Sequence, residues 1–136
     1  FDGSLVSCAV DQEGGGLSVT GKSDILPDGF DGTPWGAQIH VSADGDWLFT
    51  SERMSSTITV HRLDAATGGM TKIESVATHA CPRGFDVDHT GDWLVAAGEK
   101  SDSIVSYAFD RAGGRLMPRA TLDVAAGPIW VEILKA

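Results

Sequence analysis

The sequence predicts an all-β chain built from the blades of a β-propeller, and three observations carry that prediction. A motif recurs: Gly45-Asp46-Trp47-Leu48 returns as Gly91-Asp92-Trp93-Leu94, a step of 46 residues. Each repeat divides into four short segments of strand-like composition, separated by Gly/Asp turns. No segment sustains the apolar period of a helix. Four strands in a unit of ~40–50 residues is the mark of a propeller blade.

The step holds without a gap along the unit. Ser55 falls on Ser101, Ile58 on Ile104, Asp64 on Asp110, Gly68 on Gly114 and Pro82 on Pro128. An earlier, partial copy aligns Asp11 with Asp64 and Leu17 with Met70 at a step of 53, the excess lying in the Gly/Asp-rich loop 27–33. In the central unit, residues 36–42 read as the first strand, closed by turn chemistry at Ala43-Asp44-Gly45-Asp46. Residues 47–51 form the second strand and 52–55 a loop. Residues 56–63 alternate as a half-buried third strand, 64–69 turn the chain, and 70–76 make the outer fourth strand. Gly14-Gly15-Gly16 resembles a phosphate loop only superficially, because it aligns with Gly68-Gly69 and Gly113-Gly114 and reads as a hairpin turn.

These boundaries give a partial blade over 1–32, blades over 33–80 and 81–126, and over 127–136 the inner strand of the next or closing blade. Closed rings take ~4–8 blades. About three four-stranded blades are therefore expected to be completed, either by the remaining blades of a longer parent chain or by other copies of this one. The start at Phe1, without an initiating Met, favours the longer parent.

Composition narrows the partners. A net charge of −9 argues against nucleic acid and against anionic membrane surfaces, both of which call for a basic face. No stretch approaches the ~20 apolar residues of a membrane helix. No basic, apolar-cored export signal is visible. The two cysteines are too few for a disulfide scaffold: Cys8, in the apolar run 4–10, reads as a buried thiol, and Cys81 as a loop residue. Reduced cysteines without an export signal point to the cytoplasm. The four histidines have no metal-ligand spacing, there is no Gly-x-Ser-x-Gly elbow, and no cofactor is expected.

Blade geometry then selects candidates. First strands line the central channel, and the loops entering the first strand and leaving the second share one face. That face receives Trp35, Glu52, Arg53, Pro82, Arg83, Glu99 and Lys100, while Asp44, Asp64 and His89 fall on the other. Trp47 and Trp93 recur at the blade period and read as packing between blades. Trp130, like Trp35, lies nearer the channel.

Several stretches resemble a known family. Residues 35–45, Trp-Gly-Ala-Gln-Ile-His-Val-Ser-Ala-Asp-Gly, are similar to the tryptophan-led "acid-Ile-His" stretch of the propeller-type 6-phosphogluconolactonases, within the lactonase and carboxymuconate cyclase family. Cys81-Pro82-Arg83-Gly84-Phe85 resembles their "Pro-Arg-(Gly/His)-Phe" stretch, and residues 96–101 and 127–131 are also similar. Gln38 stands where many members carry an acid, and Glu99 where many carry Gln.

The resemblance covers nearly the whole chain. It implies a seven-bladed ring, of which this is the C-terminal part, and hydrolysis of 6-phospho-D-glucono-1,5-lactone to 6-phosphogluconate in the pentose phosphate pathway. Other readings the resemblance implies are a muconate-lactonising cyclase and another sugar lactonase; the alternative from a different class is a non-catalytic propeller binding module. The expected partner is a small anionic sugar lactone, and the piece alone is expected to be inactive.

On this reading Arg83 opens a first strand at the channel mouth, where a guanidinium can hold a phosphate bidentately or stabilise an oxyanion. An arginine tying two blades together would occupy the same place. His40, inside an inner strand, is a general-base candidate because histidine ordinarily titrates near neutrality; its alternative is a hydrogen-bonded histidine between strands. Glu99 is the other candidate to activate water. Arg53 either clamps the phosphate or pairs with Glu52. Lys100 adds positive charge, and Trp35 offers a stacking face. His61, on a third strand, and His89 are weaker candidates.

Overall fold

The computed structural model describes residues 2–135; Phe1 and Ala136 lie outside them. Ten strands follow one another with no helix among the described residues. They are β1 (Ser4–Val10), β2 (Leu17–Asp24), β3 (Gly36–Val41), β4 (Trp47–Glu52), β5 (Thr57–Asp64), β6 (Gly69–Ala77), β7 (Pro82–Val87), β8 (Trp93–Gly98), β9 (Ser103–Asp110) and β10 (Arg115–Asp123). They form three antiparallel meanders: the pair β1-β2, the sheet β3-β4-β5-β6 and the sheet β7-β8-β9-β10. The two four-stranded sheets are successive copies of the 46-residue unit.

The repeat is written most plainly in its turns. Gly68 at φ 73° donates its N–H to the Asp64 carbonyl at 2.7 Å, and Gly114 at φ 69° does the same to Asp110 at 2.7 Å. Gly15 at φ 71° donates to Asp11 at 2.8 Å, so the triple glycine closes the β1–β2 hairpin. Each turn demands a left-handed backbone, which glycine adopts without a Cβ penalty.

The inner strands share a second device. The register of β3 against β4 shifts between Gly36 and Ile39, and that of β7 against β8 shifts between Pro82 and Phe85. A bulge at the strand entry re-aims the residues within it. Gln38 lies in the first bulge, and Arg83, exposed, in the second.

Sheet β3–β6 packs its faces against two neighbours. Toward β7–β10 it presents Trp47, Phe49, Ile58 and Val60, which meet Phe85, Leu94, Val105, Tyr107 and Phe109 in one buried cluster. Phe109 takes both aromatic partners edge-on, with ring centroids 5.2 Å from Trp47 and 4.9 Å from Phe49. Toward β1–β2 the apolar contact is the small cluster Leu5, Ile25 and Leu48. Beside it, Thr59 Oγ1 donates to the Ile25 carbonyl at 2.7 Å, and His61 Nε2 donates to the Asp24 carbonyl at 3.0 Å.

Three expectations meet different surroundings among the described residues. Residues 128–135 form no strand; they lie along β7, with Ile133 N–H donating to Asp86 Oδ2 at 2.7 Å. An inner strand pairs with the second strand of its own blade, and no such strand follows among the described residues. Trp47 is buried against Phe109 and Gly114 of the next sheet, whereas Trp93 is 46% exposed, because only the 128–135 segment follows its own sheet. Cys8 is exposed rather than buried, since β1 pairs on one side only.

Candidate functional site

The strand entries and the loops after the second strands meet at a cleft of about 440 Å³. Trp35, Gly36, Ala37, Gln38, Arg53, Arg83, Ile129 and Trp130 line it. Trp35, Arg53 and Arg83, picked out from the sequence, thus stand in one place. Its aromatic walls, Trp35 and Trp130, come from opposite sides, one ahead of β3 and one in the segment along β7.

The two arginines are in different states. Arg53 is engaged. Its Nη2 donates to Glu99 Oε2 at 2.6 Å, its Nε donates to Cys81 Sγ at 3.2 Å, and its guanidinium lies 3.8 Å from the Trp35 ring centroid. Cation–π stacking and a charge-assisted hydrogen bond fix the plane of the fork. The expected pairing with Glu52 does not occur. Glu52 and Arg53 are neighbours at the end of a strand, where successive side chains point to opposite faces. Arg83, by contrast, is exposed and has no hydrogen-bond or ion-pair partner among the described residues. Its guanidinium is the unengaged cation of the cleft.

Glu99 therefore serves Arg53; it sits on the loop after β8, with the Cys81 thiol 3.8 Å away. Lys100 is exposed, and only its backbone is engaged there, donating to the Ala80 carbonyl at 3.1 Å; its side chain does not line the cleft. Cys81 itself is buried at φ 60°, a left-handed conformation for a non-glycine residue, at the entry to β7.

His40 lies behind the cleft wall. Its Nε2 is 2.5 Å from Gln38 Nε2, and its Nδ1 is 3.5 Å from Asp86 Oδ1. Gln38 Oε1 accepts the Phe85 N–H at 3.1 Å, which orients the amide so that its nitrogen donates to the imidazole. Nε2 is thus held by Gln38, Nδ1 faces the Asp86 carboxylate without a hydrogen bond to it, and Gln38 stands between the imidazole and the cleft. Asp86 ties three inner segments together, since it also accepts from Ile133 N–H. Asp86 stands one 46-residue step after His40, at the same place in the next inner strand, and was not among the sequence candidates.

The other histidines are separate from the cleft. His61 is fully buried among β5 and β2, and burial, its largest influence, pulls its pKa below the ordinary histidine value. His79, ahead of β7, is 2.5 Å from Ser103 Oγ through Nδ1, and His89 is exposed on the opposite face. No group of three or more metal-binding side chains forms among the described residues.

The comparisons agree with this architecture. A family model described as "Lactonase, 7-bladed beta-propeller" matches residues 1–133. A 6-phosphogluconolactonase of Serratia proteamaculans is 35% identical over 98% of this chain and 40% of its own length. The 6-phosphogluconolactonase of Sodalis glossinidius is 39% identical over the same shares. A solved protein from Lactobacillus plantarum superposes with a TM-score of 0.88 at 27% identity, over 98% of this chain and 39% of that one. The chain thus spans about 40% of the length of the curated relatives it matches. Repeat, blade architecture and family match converge: the chain belongs to the seven-bladed β-propeller lactonase family.

Proposed function

We propose that the complete propeller hydrolyses 6-phospho-D-glucono-1,5-lactone to 6-phosphogluconate, and that this chain supplies the anion- and sugar-binding side of the site. The observation that carries the reading is the unengaged Arg83 guanidinium between two indole walls. Indoles stack on the apolar faces of sugar rings, and an arginine fork matches phosphate or a developing oxyanion. The relatives' shared designation as 6-phosphogluconolactonases supports the same substrate. Arg53, its charge balanced by Glu99, holds the Trp35 wall in place. The partner is a small anionic sugar lactone, and the remaining blades complete the channel. We place the reaction in the cytoplasm, on the two unpaired cysteines.

One observation favours a second reading. His40 lies behind Gln38 with its Nε2 held by that amide, and Glu99 is paired with Arg53, so the base that activates water comes from rearrangement here or from another blade. A cleft without its own base fits a binding module for sugar anions.

The test is lactone hydrolysis by the complete propeller carrying this segment. Arg83→Ala is expected to lower kcat/KM about 100-fold or more, the scale of losing one charge-stabilising donor. Full activity in the double variant Arg83→Ala, His40→Ala would sink the site assignment. Binding of 6-phosphogluconate without turnover of any lactone would establish the binding module. The 136-residue chain alone is expected to show no appreciable turnover.

A further inference from the structure

We infer that Glu52, which the proposed chemistry does not use, positions the Trp35–Arg53 wall of the cleft. The inference rests on the reading of that cleft as a site for an anionic sugar.

Glu52 ends β4 and is fully enclosed. One carboxylate oxygen accepts the Trp35 N–H at 2.5 Å and the other accepts the Ser55 N–H at 2.5 Å. No cation pairs with it among the described residues. A buried carboxylate without a countercharge is costly unless hydrogen bonds satisfy it. Burial alone pushes its carboxyl upward, but hydrogen bonds from Ser55, Trp35 and Met54 outweigh that and hold it below the usual glutamate range. The charged form is therefore the resident one.

What it grips is the frame of the wall. The Trp35 N–H goes to Glu52, and the Trp35 carbonyl in turn accepts the Arg53 N–H at 3.1 Å. The Arg53 guanidinium then lies over the ring whose backbone Glu52 has fixed.

The next blade supplies an internal control. One repeat later the position of Glu52 is Gly98, that of Trp35 is Cys81 and that of Arg53 is Glu99. The strand–loop–strand path is nevertheless the same: Ser56 and Asp102, at equivalent places, have φ 55° and 51°. In that blade His79 occupies the room beside Gly98, where an added Cβ would stand 2.5 Å from the His79 Cβ. The loop thus closes without any carboxylate. Of the two blades, the one with the buried glutamate is the one with the aromatic–cation wall.

The experiment compares the complete propeller carrying this segment, wild type and Glu52→Gln, by NMR of its labelled indoles, using 6-phosphogluconate as the probe. Glutamine keeps the size but only one acceptor oxygen, so one of the two N–H groups is released. The Trp35 indole should lose order on the nanosecond scale, seen as a fall in its heteronuclear NOE. Affinity for 6-phosphogluconate should weaken about tenfold, with the other indoles unchanged. An unaltered Trp35 NOE together with an affinity within twofold of wild type would overturn the inference. Arg83→Ala separates the two claims, since it should abolish binding yet leave Trp35 ordered. A wild-type complete propeller that binds no 6-phosphogluconate defeats the reading of the cleft, whereas the Trp35 NOE still decides the role of Glu52. If Glu52→Gln fails to fold, amide exchange in the wild type serves instead. Slow exchange at Trp35 and Ser55 supports the grip, and exchange at free-loop rates refutes it.

Discussion

Sheet β3–β6 meets β7–β10 on one face and β1–β2 on the other, and the two contacts are made of different materials. The first is a continuous apolar layer of aromatic and branched side chains, closed by the edge-on contacts of Phe109. The second has three buried apolar residues, flanked by the half-buried Leu26, Leu63 and Met70, and mixes them with polar groups: Thr50, Glu52, Thr59 and His61 are all buried in it or at its margin. Thr59 and His61 reach the β2 end through backbone carbonyls, yet Thr50 Oγ1 and His61 Nδ1 have no partner among the described residues. An apolar contact gains strength from area and is indifferent to detail. A polar contact gains little net strength but punishes misalignment, because each lost partner leaves a desolvated group behind. One face therefore binds the blades together, and the other specifies how the preceding hairpin is seated.

The sharpest way to break this contrast is to remove mass from the apolar side. Phe49→Ala deletes a fully buried ring and should cost about 3–5 kcal/mol, read from the denaturant midpoint at constant m-value. A smaller loss would mean that the layer collapses readily around the cavity.

Two threonine substitutions probe the polar side in opposite directions. Thr59→Val strands the Ile25 carbonyl and should cost about 1–3 kcal/mol. Thr50→Val removes a hydroxyl that has no partner and should be neutral or slightly stabilising. Equal destabilisation by both would show that the unpaired hydroxyl is in fact satisfied.

The smallest effect is a pH slope. Burial lowers the His61 pKa in the folded chain below its unfolded value. Above the unfolded value both states are neutral and the full stability is present. As pH falls below about 6.5, the unfolded chain takes up a proton that the folded chain refuses, and stability declines by up to about 1.4 kcal/mol per pH unit until the folded pKa is reached. In His61→Gln that segment of the pH–stability curve should be flatter. Identical slopes in the two proteins would remove His61 from the account.

The repeat made the blades legible from sequence, because a turn that needs Asp and Gly must spend those residues visibly, as at Asp64–Gly68 and Asp110–Gly114. Trp35, Arg53 and Arg83 could be assigned to one face for the same reason: position within a blade fixes the face of the ring and the distance from its axis. Pairing could not be read. Arg53 finds Glu99 at the equivalent position of the next blade rather than Glu52 beside it, and His40 finds Asp86 across two inner strands. Such contacts depend on how far one blade is turned against the next, which leaves no trace in spacing within a blade. The burial of Trp47 and the exposure of Trp93 teach the same lesson, since identical motifs acquire different surroundings from what stands beside them.

The outermost strand has a bearing on how such a chain behaves in a crowded solution. β10 carries Pro118, and its register against β9 shifts between Pro118 and Ala120. A strand at the rim offers free amides and carbonyls to any stranger of like sequence. Proline withholds one of those amides, and the bulge bends the ribbon out of the flat geometry that templated pairing requires. A protein made of repeated strands runs a standing risk of mistaking another molecule's blade for its own, and Pro118 makes β10 a poor template for that mistake.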